Sequence, residues 1–213
     1  MTLVAMDAIA DDRLHRLGLA QDVLARVLLR ADAEAKMTTD LEPPTAEGTV
    51  RYIKTVGVLR EELVPLGWDY DNSKNFCRTI HPSRAFSIVT SSGDEYTGVD
   101  TGKNPSTKYS KGDLTALAVQ RNAGQEAFEL GAEFDEPMIE RAELENIWFL
   151  LQRPTADYIF AELSLPTQIE GGMIIEWEER IILPPLSRQD PTPTDEVVRA
   201  DDGDGYSVEV AMR

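Results

Sequence analysis

The feature that most constrains the fold of this chain is a set of three β-type segments between residues 146 and 183. Residues 147–151 are continuously apolar, which is typical of a strand covered on both faces. Residues 158–165 and 173–183 instead alternate apolar and polar side chains, which is typical of strands with one wetter face. Together the three segments predict an antiparallel β-meander near the C-terminal end of the chain.

The register of this meander needs an irregularity. A two-residue turn at residues 171–172 places Leu165 opposite Glu178, which mixes the two faces of the sheet. A bulge or an odd-length loop is required to bring Leu163 opposite Ile181. We expect the apolar side of the third segment to hold Met173, Ile175, Trp177, Ile181 and Leu183.

The first half of the chain is mainly helical in pattern. Residues 7–36 carry a leucine stripe at helical spacing, with a break possible at Gly18 because glycine is a poor helix former. A second helix is predicted over residues 45–63, ending before Pro65. A hairpin follows around the turn HPSR, and further helices are predicted at residues 113–123 and, more weakly, 137–145.

These patterns predict an α+β fold with a helical N-terminal part, a β-hairpin and a C-terminal antiparallel β-meander. We divide the chain into a helical segment 1–44, an α+β core 45–185 and an acidic, Pro- and Asp-rich tail 186–213. The tail has little to bury and is expected to be mobile up to residue 204. Its last residues, 206–212, alternate and predict a terminal strand.

Charge is distributed very unevenly along the 213 residues. The net charge is −17, and residues 126–213 hold 21 acidic and 6 basic side chains, whereas all six lysines lie in the first 111 residues. Such a balance repels phosphate backbones and anionic membranes, so it argues against non-specific binding to either. It favours a basic protein as the partner.

Location is indicated by three further features of the sequence. The single cysteine cannot form an intramolecular disulfide, which fits a reducing compartment. No stretch reaches about 18 consecutive apolar residues, the length that a membrane-spanning helix needs. The first residues also lack the basic and apolar regions of a secretory signal. We therefore expect a cytoplasmic protein without membrane association.

The polar side of the meander provides the main candidate site. Glu162, Glu176 and Glu178 are expected to share it, and Trp177 lies between two of them as a possible contact for a partner. We interpret these four residues as a surface for a basic protein. The alternative is a divalent-metal phosphoesterase or nuclease, because three carboxylates suit Mg²⁺ or Mn²⁺. We assign no cofactor and no metal ligand from the sequence.

A second candidate site is basic. Lys103, Lys108 and Lys111 occur with hydroxyl side chains in a long loop, a mixture suited to phosphate contacts, and Arg78 and Arg84 of the hairpin extend it. The spacing of a P-loop is absent. A solvated loop is the simpler interpretation, and a nucleotide- or nucleic-acid-binding module is the third hypothesis for function.

One resemblance bears on context. The segments AELSLP (161–166) and ERIILPP (179–185) resemble a C-terminal segment of uncharacterised bacterial proteins carried on mobile genetic elements, over residues 146–185. The resemblance implies a mobile-element or defence context and contains no catalytic motif. With the acidic charge, it favours a non-catalytic interaction protein, such as an inhibitor or accessory factor that imitates nucleic acid.

Overall fold

The computed structural model describes residues 2–123 and 145–189. Within these residues the α-helices are α1 (Asp7–Arg16), α2 (Gln21–Ala35), α3 (Ala46–Leu63) and α4 (Asp113–Asn122). The strands are β1 (Leu3–Ala5), β2 (Asp69–Asp71), β3 (Arg78–Ile80), β4 (Phe86–Ser92), β5 (Asn146–Pro154), β6 (Tyr158–Glu170), β7 (Met173–Ile182) and β8 (Leu186–Ser187). Short 3-10 turns occupy Val64–Leu66 and Ser73–Asn75.

All of these strands belong to one mixed sheet with the order β1-β7-β6-β5-β4-β3-β2, and β8 also pairs with β6. β5, β6 and β7 are antiparallel neighbours, which confirms the predicted meander. β3 and β4 also pair antiparallel, which confirms the hairpin. Two pairs are parallel, β1 with β7 and β4 with β5, and the sequence pattern does not predict either.

The α+β class is confirmed, but the predicted order of a helical part followed by strands is wrong. β1 precedes α1, and α4 lies between β4 and β5. Parallel neighbours such as β4 and β5 need a crossover connection, because a tight turn joins only antiparallel strands. The connection that contains α4 serves this purpose, so helices and strands alternate along the chain.

The helix boundaries follow local signals closely. The expected break lies at Gly18, which has a φ of 66° between α1 and α2. Glycine tolerates this left-handed conformation, and Gly18 N donates to His15 O at 3.0 Å, which closes α1. α3 ends at Leu63, two residues before Pro65, and α4 begins at Asp113, as predicted.

Helices cover the sheet on both faces. α1, α2 and α3 pack on one face, and the core there includes fully buried Leu14, Leu28, Leu59, Leu150 and Leu163. α4 packs on the opposite face and buries Val119 against Phe149 and other β5 residues. Because β5 contributes to both cores, its continuous apolar run is explained by cover on both sides, as the sequence predicts.

The predicted bulge is present between β6 and β7. Gly171 and Gly172 form the two-residue turn, and Leu163 lies opposite Ile181. The register shifts between Leu165, paired with Glu179, and Pro166, paired with Trp177, so Glu178 is the extra residue. The bulge moves Trp177 to the α4 face, while Ile181 stays on the face of α1 to α3. The prediction that Trp177 and Ile181 share one apolar side of β7 is therefore wrong.

The predictions for the tail and for the helix at residues 137–145 can be compared with the structure only in part. The first residues of the predicted tail are attached to the sheet, because Leu186 lies opposite Ile159 in β6. The predicted helix at 137–145, except for residue 145, and the predicted terminal strand at 206–212 lie outside the described residues. In the described part of the chain, no helix is both long enough and apolar enough to cross a membrane.

Candidate functional site

Glu162 is not on a wet face of the meander. Its side chain is fully buried, and Oε2 accepts a hydrogen bond from Arg180 Nη2 at 2.6 Å. Gly98 N also donates to Oε2 at 2.8 Å, and Ser164 Oγ donates to Oε1 at 2.7 Å. The proposed role of Glu162 in binding a partner is therefore wrong, because its charge is neutralised inside the protein.

Arg180 links this carboxylate to the loop between β4 and α4. Besides Glu162, its guanidinium donates to the backbone carbonyls of Tyr96, Val99 and Lys103, at 3.3, 3.1 and 3.3 Å. The loop, residues 93–112, lies over the α4 face of the sheet and pairs back at Gly93 and Thr107. The buried ion pair thus holds a long loop that has few apolar side chains of its own.

Trp177 lies beneath the same loop. It is 2% exposed, packs edge-on against Phe149, and its Nε1 donates to Pro105 O at 2.8 Å. An exposed contact for a partner is therefore ruled out for the indole, whose polar atom is already satisfied. The prediction for Trp177 as a binding residue is wrong, and its role is to attach the loop to β7.

Glu176 and Glu178 remain exposed at the surface of β7. Together with Thr2, Asn104 and Thr167 they line an open cavity of about 490 Å³. Neither glutamate has an ion-pair partner among the described residues, whereas neighbouring Glu179 is held by Arg13 at 2.6 Å. Uncompensated negative charge is therefore present on this part of the sheet.

The metal hypothesis is not supported by this geometry. Glu162 is covered by the loop and bound to Arg180, whereas Glu176 and Glu178 face solvent. Among residues 2–123 and 145–189, no group of three or more His, Cys, Asp or Glu side chains is placed to hold a metal ion. The three glutamates do not form the carboxylate site that the alternative function requires.

The two arginines of the predicted phosphate-binding site form ion pairs with acidic residues of this protein. Arg78 is 7% exposed and lies between Asp71 and Glu145, at 2.9 and 3.0 Å. Burial alone raises the pKa of Asp71, but hydrogen bonds from Ser73 and Arg78 outweigh it and lower the pKa. Arg78 is thus a structural cation, and its predicted role in phosphate binding is wrong.

Arg84 is exposed, but its Nη2 lies 2.8 Å from Asp69 in a surface ion pair. It has a φ of 58° in the turn between β3 and β4, which indicates a role in the hairpin. The structure therefore does not bring Arg78 and Arg84 together as one basic patch.

The three lysines of the loop have different environments. Lys103 and Lys108 are exposed, with their ammonium groups 4.9 Å and 5.6 Å from the ring centres of Tyr96 and Tyr109. Lys111 is half-buried and donates to Ser91 Oγ at 2.6 Å. The lysines therefore do not present a single phosphate-binding surface.

A buried charge centre on the other side of the molecule was not predicted. Asp32 of α2 is 2% exposed and receives hydrogen bonds from Arg51 at 2.8 Å and Arg188 at 2.8 Å. Burial alone raises the pKa of Asp32, but Arg188 and Arg51 together lower it below its ordinary value. No sequence signal links residues 32 and 188, because their contact depends on the complete fold.

Comparison of the chain with protein-family models, with curated proteins and with solved structures finds no match. The resemblance of residues 146–185 to proteins of mobile genetic elements therefore stays a prediction, and so does every function inferred from it.

Proposed function

We propose that this chain is a non-catalytic, acidic interaction protein whose β7 surface binds a basic protein. The observation that carries the proposal is the pair of exposed carboxylates, Glu176 and Glu178, which have no ion-pair partner among the described residues. They lie on β7, the strand next to the edge strand β1, and the buried Trp177 and the ion pair of Arg180 with Glu162 anchor the residues around them. Negative charge held on a rigid frame attracts a cationic surface with little loss of conformational entropy.

Two other segments of the sequence add to the negative charge of the protein. Residues 126–144 contain seven acidic side chains and one arginine, and residues 190–213 contain seven acidic side chains and two arginines. The first of these acidic segments begins three positions after Ala123, which lines the cavity beside Glu176. A basic partner is therefore attracted by the net charge of −17 as well as by the two carboxylates on β7.

We further propose that the partner is a protein that normally handles nucleic acid, and that this chain acts on it as an inhibitor or accessory factor. A surface selected to bind phosphates is cationic, and carboxylates can compete for it. A bacterial mobile-element or defence context and a cytoplasmic location complete the proposal, on the sequence resemblance and the single cysteine.

The decisive experiment combines partner capture with charge-neutral variants. The immobilised protein is exposed to lysate of its host at low salt, and the bound proteins are identified by mass spectrometry. The affinity of the purified partner is then measured for the wild type and for Glu176→Gln/Glu178→Gln. We expect weaker binding by the variant and a steep loss of affinity between low and physiological salt, where screening acts beyond about 8 Å.

A matched control changes the same number of charges elsewhere. Asp40→Asn/Glu42→Gln alters two exposed acids between α2 and α3, away from β7. This variant should retain most of the affinity. An affinity that is insensitive to salt and equal in both double variants contradicts the proposed surface.

A further inference from the structure

A second, smaller cavity lies where β4 and β5 meet the beginning of α4. Its volume is about 210 Å³, and its polar lining comes from Tyr52, Asn75, Cys77, Thr90, Lys111 and Thr115. The apolar side chains of Phe76, Val89 and Phe149 complete it. It shares no lining residue with the cavity beside Glu176 and Glu178, so what it binds is independent of the proposed acidic surface.

Lys111 places a cation in this cavity without an opposite charge. Its ammonium donates one hydrogen bond, to Ser91 Oγ, and no carboxylate of residues 2–123 or 145–189 pairs with it. Burial lowers the pKa of Lys111, as expected of a lysine that loses water without gaining an anion. An ammonium has three donors, so two remain for a ligand.

A threonine and the N-terminus of α4 add polar groups beside Lys111. Thr115 is only 8% exposed and lies in the first turn of α4, a helix of ten residues. The first backbone N–H groups of a helix carry partial positive charge, which favours an anion nearby.

The remaining polar groups of the cavity do not repel an anion. Burial, followed by a hydrogen bond with Cys77, raises the pKa of Tyr52 to about 12, so its hydroxyl is protonated and neutral near pH 7. Asp113 lines the neighbouring cavity but not this one. The lining therefore combines one cation, hydroxyl, amide and thiol groups, and apolar walls.

We propose that this cavity binds the phosphate group of a small organic phosphate ester, with Lys111 as the charged contact and Thr115 as a hydroxyl contact. The adjoining cavity, about 410 Å³, shares Asn75, Phe76 and Thr115 with the first and gives room for the organic part of the ligand. Bound phosphate supplies the negative charge that Lys111 lacks in the described structure.

The test measures thermal stabilisation by inorganic phosphate against sodium chloride of equal ionic strength. A ligand that binds only the folded state raises Tm with concentration. We expect phosphate to raise the Tm of the wild type and of Lys54→Met, which changes a partly exposed lysine on α3, but not that of Lys111→Met. No rise in the wild type, or an equal rise in Lys111→Met, overturns the proposal. Phenyl phosphate should act at lower concentrations than inorganic phosphate, and equal potency overturns the assignment to an ester.

A second measurement needs no variant, in case Lys111→Met does not fold. The folded wild type is acetylated briefly with acetic anhydride, and modification at each lysine is quantified by mass spectrometry with and without phosphate. We expect phosphate to slow modification of Lys111 severalfold and to leave Lys54 unchanged. Equal rates at Lys111 with and without phosphate overturn the proposal. The variant Lys111→Met should still capture the basic partner, because the cavity and the acidic surface share no residue. Failure of the phosphate site can therefore be distinguished from failure of the acidic surface.

Discussion

Arg180 on β7 and Glu162 on β6 form an ion pair of 2.6 Å that is buried beneath the loop of residues 93–112. Arg180 is among the largest fully buried side chains, and its remaining donors reach three loop carbonyls. The pair therefore joins two strands to a segment that is 20 residues long and poor in apolar side chains. The carboxylate of Glu162, which the sequence predicts on a surface, therefore lies in the interior of the protein.

The first prediction is that Arg180→Met destabilises the protein by about 3–5 kcal/mol, because Glu162 is left buried without an opposite charge. The double variant Arg180→Met/Glu162→Gln should recover part of this loss, since no unpaired charge remains. Urea unfolding measures both effects. Trypsin should also cleave after Lys103 faster in Arg180→Met, because the carbonyl contacts of the loop are lost.

The control for this prediction is Arg84→Met, which breaks the exposed ion pair with Asp69. Exposed pairs contribute about 0–1 kcal/mol, so this variant should unfold almost like the wild type. Equal destabilisation by Arg84→Met and Arg180→Met contradicts a special role for the buried pair.

The second prediction concerns Asp32 and acid. Its pKa is lowered in the folded state, so its ion pairs stabilise the protein above the pKa of the unfolded chain, about 3.9, and this contribution is lost as the pH falls through the folded pKa. Asp32→Asn should therefore be less stable at pH 7 and should lose less on acidification. Urea unfolding between pH 3 and pH 7 measures both differences.

Asp32→Asn should also expose the bond after Arg188, because the guanidinium of Arg188 is held by this carboxylate at 2.8 Å. Trypsin cleavage at Arg188 is expected to accelerate in the variant. Asp22→Asn, which removes an exposed partner of Arg26, serves as the control. If both variants are cleaved at Arg188 at the wild-type rate, the attachment of residues 186–189 does not depend on Asp32.

The elements that could be predicted from the sequence are those specified by local chemistry. The break at Gly18, the helix ending before Pro65 and the start of α4 at Asp113 all depend on residues within one or two turns. The bulge opposite Leu165 was predictable too. A two-residue turn at residues 171–172 sets the pairing of β6 with β7 and, without a bulge, places the apolar Leu165 opposite the polar Glu178.

The parallel pairings and the cover on the polar side of β6 and β7 could not be predicted. β1 has three residues, too few to show a period, yet it pairs with β7 through Leu3, Val4 and Ala5. Alternation in β6 and β7 distinguishes two faces but does not say what covers them. The cover on Glu162 is a Gly-, Ser- and Thr-rich loop, whose composition predicts exposure. Its position depends on contacts with distant residues, such as the carbonyl contacts of Arg180 and the hydrogen bond from Trp177 to Pro105.

The third prediction compares two glycines of that loop. Gly98 has a φ of 71°, and an added Cβ would lie 2.6 Å from Ala161 N in β6. Gly102 has a similar φ of 73° but open space around it. Gly102→Ala should cost roughly 1–2 kcal/mol from backbone strain alone, and Gly98→Ala clearly more, because the loop must move away from β6. Urea unfolding of both variants measures the difference, and equal losses contradict the close approach of loop and strand.

The last prediction concerns Lys111 in alkaline solution, in buffer free of phosphate. Burial lowers its pKa in the folded state, so between that pKa and the ordinary value of about 10.4 the unfolded chain binds more protons. The stability contribution of Lys111 therefore rises with pH across this window. Lys111→Met carries no proton and should lack the rise, whereas Lys54→Met should keep it. Urea unfolding at several pH values from 7 to 10 compares the slopes. If the slope of Lys111→Met equals that of the wild type, Lys111 is as well solvated or as well paired in the folded protein as in the unfolded chain. The cavity then holds no uncompensated cation.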